Sequence, residues 1–354
     1  MSLLESTIAR IREPDAGAIA EAAARQDRLT KPQGSLGELE ALSIKIAGIV
    51  GSGRPRLGPG AVFVMAGDHG VCAEGVSAYP AEVTLEMARN IARGGAGINA
   101  LARKAGARVV VADVGMACDL PPAPGIYIKK VRRGAANIAR GPAMSRDEAR
   151  RSVEAGIEVF EAELAREAFA IAATGDMGIG NTTPSTAIAS VYTGRAPREL
   201  AGRGTGVDDA GLERKIRAIE LALAANRPDP EDALGVLAAV GGLEIGGIAG
   251  LILAAAARRV PILVDGFISG AGALVAQGLC PLAARYMIAA HVSGDSGHRF
   301  MLEALGLKPL LSLGMRLGEG TGAALAMTLC DAACRALDEM ATFEEAGVSG
   351  KEEA

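Results

Sequence analysis

Seven short β-prone runs recur along the chain, at 61–66, 107–112, 125–131, 168–173, 260–264, 284–290 and 310–313. Their hydrophobicity is largely continuous rather than alternating, the pattern of strands buried on both faces. Several of the stretches between them are amphipathic and long enough for helical crossovers. The expected fold class is therefore α/β: a doubly wound, mainly parallel sheet with helices on both faces. The first ~55 residues read differently, as helix broken at Pro32 and at Gly34-Ser35, and 51–60 (GSGRPRLGPG) reads as a linker. This predicts a small helical satellite domain over 1–55, joined by the C-terminal helix, a Rossmann-like catalytic domain over 56–340, and a frayed polar tail over 341–354.

The segments after the runs are as informative as the runs themselves. GDHGV (67–71), DVGMA (113–117), GDMGIGNTTPSTA (175–187), DGFISGAGAL (265–274), HVSGDSGHR (291–299) and GMRLGEGTGAALA (314–326) each begin where a run ends. In an open α/β sheet such loops gather at the carboxyl edge, where ligands bind. Glycine lets backbone approach a ligand closely, and helix N-termini present N–H groups to anions. The pattern locates a site without naming its substrate.

Composition removes several function classes. A net charge of −4 gives no basic surface for nucleic acid, and 3% aromatic residues leave little for base-stacking platforms. The N-terminus mixes charge into its apolar positions, unlike a signal peptide. The most apolar stretch, 245–257, falls short of the roughly 20 residues a membrane span needs and reads as a buried helix. Five cysteines (72, 118, 280, 330, 334) form no paired CxxC units. Cys330 and Cys334 read as small helical core residues, and the set suits a reducing, cytoplasmic setting. Three histidines (69, 291, 298) are too few for a multi-histidine metal site, so no metal and no cofactor are expected. His69 and His298 read as loop hydrogen-bonders.

Individual motifs admit two readings each. Glu319, wedged between Gly318 and Gly320, is either a catalytic carboxylate or a charge favoured at a helix start. The spacing around it does not match a dinucleotide loop, and no later strand is expected to carry a ribose-binding acid. In GDMGIGNTT, Asp176, Asn181, Thr182 and Thr183 with three glycines suit a ribose phosphate; Asn181 and Thr182 equally suit helix capping. Ser293 with Gly294 can form a phosphate nest, and Arg214-Lys215 can supply the cation. DGFISG (265–270) has one acid where the loop of a diphosphoribose-binding transferase wants two.

These motifs, taken in order, resemble the nicotinate-nucleotide–dimethylbenzimidazole phosphoribosyltransferases of cobalamin lower-ligand synthesis. The resemblance also rests on LTKPQGSLGELE (29–40), EGVSAYPAEVT (74–84), GGAGINALAR (94–103) and GRGTGVDD (202–209), and it covers about 300 residues. It implies Glu319 as general base. It implies a phosphate and ribose side of Gly178, Gly204, Lys215, Ser293 and Gly294, to which the motif reading adds Asp176, Gly180, Asn181 and Thr182. It implies a base pocket of Tyr79, Met87, Met177 and Leu317. The family commonly has Glu where this chain has Asp176. The implied substrates are nicotinate mononucleotide and a benzimidazole-type base, with no nucleic acid, no membrane and a homodimeric assembly. A nucleosidase acting on the same nucleotide, a non-catalytic nucleotide-binding module and a metal-dependent diphosphoribose transferase are the competing readings.

Overall fold

The computed structural model describes residues 1–204 and 206–349. Among these residues six strands form one parallel sheet: β1 (Gly60–Gly67), β2 (Ala107–Gly115), β3 (Ile126–Ile128), β4 (Ile171–Met177), β5 (Ile262–Val264) and β6 (Met287–Ala289), in the order β3-β2-β1-β4-β5-β6. The seventh run does not form a strand. Beside the end of β6 it makes one parallel bridge, Leu311 to His291, with the Leu310 and Leu311 N–H groups donating to the Ala289 and Ala290 carbonyls and the Val292 N–H to the Leu311 carbonyl.

β1 explains the continuous hydrophobicity. All eight of its residues are buried. Ala61, Phe63 and Met65 join one core with helices Arg146–Arg166, Leu243–Ala257 and Phe267–Leu279. Val62, Val64 and Ala66 join the other with helices Val83–Ala92, Gly97–Lys104 and Thr321–Glu339. Alternate side chains thus enter two apolar layers, as a sheet covered on both faces requires.

On the first face the helices come unusually close. A Cβ on Gly250 would lie 1.9 Å from the Val153 carbonyl oxygen, and one on Gly156 would lie 2.0 Å from that of Gly247. Glycine here lets two helix backbones meet with no side chain between them. The apolar stretch 245–257 is this buried helix, and no helix among the described residues is long and apolar enough to cross a membrane.

Helices Ala16–Gln26 and Glu38–Val50 pack with Thr321–Glu339 through Ala22, Ala47 and Leu337, while Leu3–Ile8 lies on Arg146–Arg166 and Leu243–Ala257. Cys330 and Cys334 are buried in the helix Thr321–Glu339, and all five cysteines are free. Thr342 caps a short helix, Phe343–Ala346, and the Phe343 N–H donates to the Arg28 carbonyl. Residues 350–354 of the expected tail lie outside the described residues.

Strand order reverses between β1 and β4. The loops leaving these neighbours run to opposite sides, and the crevice between them is where such sheets bind ligands.

Candidate active site

β4 continues past the end of its apolar run, so Gly175, Asp176 and Met177 lie in the strand rather than in the loop. The next turn nests against the end of β1: a Cβ on Gly178 would lie 2.4 Å from the Gly67 carbonyl oxygen. Gly180 is left-handed, with φ 86°. Asn181 takes the N-cap position of helix Thr182–Thr193, but its side chain does not cap. Its Nδ2 donates instead to Asp176 Oδ2 at 2.9 Å. Burial pushes the Asp176 carboxyl up to about 8, helped by the nearby Asp265 and opposed by the Asn181 bond.

From helix Asp209–Asn226, Lys215 Nζ donates to Thr182 Oγ1 at 2.9 Å and to the Gly202 carbonyl at 3.1 Å. Burial lowers its pKa to about 8. Arg214 turns elsewhere and donates to the Gly75 carbonyl. Of the two cations, Lys215 is the one that reaches the corner of Thr182 and Gly204.

The Ser293-Gly294 turn differs from an open nest. The Ser293 N–H donates to His298 Nδ1 at 2.8 Å, Gly294 N–H to the Met315 carbonyl at 2.9 Å, and Asp295 N–H to Ser293 Oγ at 3.2 Å. The first and third fix the turn itself, and the Gly294 bond ties it to the loop that carries Glu319. Burial holds His298 near 3, so it stays neutral and serves as an acceptor.

A cleft of about 290 Å³ joins these parts. Asp176, Asn181, Thr182, Gly204, Ser293, Tyr79 and Leu317 all line it. Tyr79 and Leu317 are 54% and 60% exposed, two apolar side chains left open to solvent at its wall. An adjoining hollow shares Gly204 and is lined by Gly294 as well. Met177, Met87, Gly178, Gly180, Lys215 and Glu319 do not line the cleft; both methionines pack in the second core, and Lys215 stands behind Thr182.

Glu319 stands immediately beside that wall. Gly318 (φ 77°), Glu319 (φ 61°) and Gly320 (φ 91°) are three consecutive left-handed residues. For a glutamate this conformation is strained, and such strain is kept where surroundings over-determine it. Those surroundings are visible. A Cβ on Gly175 would lie 2.5 Å from the Glu319 carbonyl oxygen, so the loop lies directly on β4. Asp265, at the end of β5, accepts from Gly320 N–H at 3.2 Å and Ala323 N–H at 2.8 Å, capping the helix in place of a local side chain. The Glu319 carboxylate then points away from its own helix. Its Oε2 accepts from the Ile98 N–H at 3.1 Å, at the start of helix Gly97–Lys104. Burial raises its pKa, and the Ile98 bond pulls it back only in part. Burial thus outweighs the Ile98 N–H, which makes the carboxylate a stronger base.

The family is decided by comparison with known proteins. A family model described as Phosphoribosyltransferase matches residues 11–348. The chain belongs to this phosphoribosyltransferase family. It is 60% identical over 353 residues to a nicotinate-nucleotide–dimethylbenzimidazole phosphoribosyltransferase of Roseiflexus sp. (strain RS-1), covering 100% of both chains. It is 58% identical over 354 residues to the protein of that name from Chloroflexus aggregans, again with full coverage of both. The crystal structure of CobT from Thermus thermophilus superposes with a TM-score of 0.91 at 49% identity, over 94% of this chain and 99% of that one.

Four residues of this phosphoribosyltransferase's candidate site are not evident from sequence. Asp265 reads there only as half of an incomplete diacid motif; its capping role depends on the Thr321–Glu339 helix folding back over β5. His291 lines the cleft, with Nε2 3.7 Å from Asp265 Oδ1. Arg316 lines it too and donates from Nη1 to the Gly204 carbonyl at 3.0 Å. Asp295 lies between the two hollows. A cation two residues before a turn glycine is the only sequence signal for Arg316.

The raised pKa of Asp176 carries a stability consequence. Its folded value, about 8, lies above the ordinary 3.8, so the folded state binds the proton more tightly than the unfolded chain. Stability from this group is fully present below pH ~4 and falls as pH rises toward 8. Asp176→Asn is therefore expected to raise Tm relative to wild type at pH 9 and to change it little at pH 4. Thermal melts across that range check this; an equal shift at both ends would contradict the assignment.

Proposed function

We propose that this chain transfers the phosphoribosyl group of nicotinate mononucleotide to 5,6-dimethylbenzimidazole or a related base, with Glu319 as the general base. The products are α-ribazole 5′-phosphate and nicotinate, for the nucleotide loop of cobalamin. The observation that carries the reading is Glu319 itself: a strained, buried carboxylate of raised pKa, next to a cleft with cationic and apolar sides. The names and full-length identity of the relatives supply the substrates.

The chemistry fits the residues. Nicotinate on ribose is a pyridinium, a leaving group that needs no metal to depart. One benzimidazole nitrogen attacks C1′ and the ring gains positive charge. Glu319 accepts the proton from the other nitrogen as that charge develops, general-base help of about 10²–10⁴-fold. Lys215, Thr182, Gly204 and Ser293, with Gly178, Gly180 and Gly294 shaping the loops, hold the phosphate. Asp176 and Asn181 face the ribose. Tyr79 and Leu317 flank the base, with Met87 and Met177 packed behind. Attack opposite the leaving group inverts C1′ and gives the α-riboside. The five free cysteines suit a cytoplasmic setting, and a homodimer completes the proposal.

The test is turnover in EDTA with nicotinate mononucleotide and 5,6-dimethylbenzimidazole. Nicotinate and a benzimidazole riboside phosphate are expected in equal amounts. Loss of turnover in the chelator would point to a metal-dependent transferase instead.

A further inference from the structure

One carboxylate sits where a phosphate-binding site has least use for it. Asp295 lines both the cleft and the adjoining hollow. Its Oδ2 accepts from the Ser293 hydroxyl at 3.2 Å. Its Oδ1 leans on Gly202, where a Cβ would come within 2.7 Å of it. The Gly202 carbonyl in turn accepts from Lys215 Nζ at 3.1 Å. Arg316 reaches the same corner through the Gly204 carbonyl at 3.0 Å. Asp295 thus stands among the hydroxyl and the two cations assigned above, or here, to the substrate phosphate.

Lys215 gives the arrangement its physical reason. Its side chain is almost wholly buried, and both of its hydrogen-bond acceptors, Thr182 Oγ1 and the Gly202 carbonyl, are neutral. Burying an ammonium with neutral partners alone is costly. Among the described residues Asp295 makes no direct ion pair with either cation; its charge acts across the corner and offsets the burial of Lys215 in part, and Lys215 and Arg316 act on Asp295 in return.

We infer that Asp295 is an internal surrogate for the substrate phosphate: between turnovers it supplies the negative charge at the Lys215–Arg316–Ser293 corner, and the incoming phosphate takes its place. This rests on the phosphate side assigned above. Two consequences arise. Nucleotide binding is weaker than the cations alone would make it, because a carboxylate competes for them. Release of the phosphorylated product is faster, because the same carboxylate returns. Asp295 is then a residue that sets nucleotide affinity, and its removal tightens binding where loss of an ordinary substrate contact would weaken it.

The experiment compares wild type, Asp295→Asn and Lys215→Met by steady-state kinetics. The substrates are nicotinate mononucleotide and nicotinate riboside, which lacks the phosphate, and inorganic phosphate is the competing inhibitor. Asn keeps the shape and can still accept from Ser293 Oγ. Asp295→Asn is expected to lower KM for the mononucleotide and the inhibition constant of phosphate by about tenfold or more, without raising kcat. The riboside should show no such gain. Lys215→Met should raise KM for the mononucleotide. Phosphate should also raise the Tm of Asp295→Asn more than that of wild type, a readout independent of turnover. Asp295→Ser carries the same expectations should Asn fold poorly. If Lys215→Met raises KM and Asp295→Asn raises it too or leaves it unchanged, the surrogate role is overturned while the phosphate side stands. If Lys215→Met leaves KM unchanged, the phosphate side itself is misplaced and both fall.

Discussion

Exchange of Glu319 for Gln is expected to lower kcat by roughly a hundredfold or more while KM for nicotinate mononucleotide stays within about threefold. The reason is local. Gln keeps an oxygen able to accept from the Ile98 N–H, the bond that fixes the wild-type carboxylate at 3.1 Å. It can occupy the same left-handed position between Gly318 and Gly320. It cannot take up a proton. The variant therefore separates the base from the scaffold: nucleotide contacts on the Lys215 side remain, and help to the attacking nitrogen is lost. Because the help is realised only as charge develops on the benzimidazole, the effect belongs in kcat rather than in KM. Steady-state kinetics of both substrates, with melts to confirm folding, read it directly. A variant with wild-type kcat would reduce Glu319 to a structural charge at the start of helix Gly97–Lys104.

The second large effect concerns the fold. Gly250→Val should destabilise the protein by about 3 kcal/mol or more. Helix propensity argues the other way, since Gly is the least favourable helix residue after Pro, by up to ~1 kcal/mol against Ala. The geometry decides the sign. The new Cβ would lie 1.9 Å from the Val153 carbonyl oxygen and 2.9 Å from its carbon. Those atoms are backbone of a buried helix, so relief requires moving helix Arg146–Arg166 away from Leu243–Ala257. The two helices form much of the layer under β1, including Val153, Ile157, Phe160, Ile248 and Ile252, and separating them exposes that surface or opens cavities. Urea unfolding of wild type and variant measures the difference. A variant as stable as wild type would show that the close crossing is not a constraint.

The sheet is legible in the sequence because its signal is local. Val62, Phe63, Val64 and Met65 carry hydrophobicity without alternation, and that alone implies two covered faces. Six of the seven runs contain strands. The run at 310–313 does not, because apolar residues alone do not report how far a sheet edge extends; here it reaches one bridge, Leu311 to His291, and a few backbone bonds to 289–292. The cleft is legible in outline, since loops after parallel strands converge wherever the sheet opens. Its details are not. Asn181 has the sequence of a cap, but its backbone is already helical (φ −60°, ψ −23°) and its Nδ2 donates to Asp176 at 2.9 Å. The Gly294 N–H, free for an anion on sequence alone, is bonded to Met315, a distant residue that no local pattern brings near. The destination of the Glu319 side chain is likewise hidden. It depends on helix Gly97–Lys104 packing beside a loop more than two hundred residues away.

Joining a benzimidazole nitrogen to C1′ of a nicotinate ribotide with inversion leaves its record in the product. NMR of the product formed from nicotinate mononucleotide and 5,6-dimethylbenzimidazole reads that record. A single benzimidazole riboside 5′-phosphate in the α configuration at C1′ is predicted, with no ribose 5-phosphate. A β-riboside, or free ribose 5-phosphate released at the same rate without the base, would contradict the transfer and its stereochemistry.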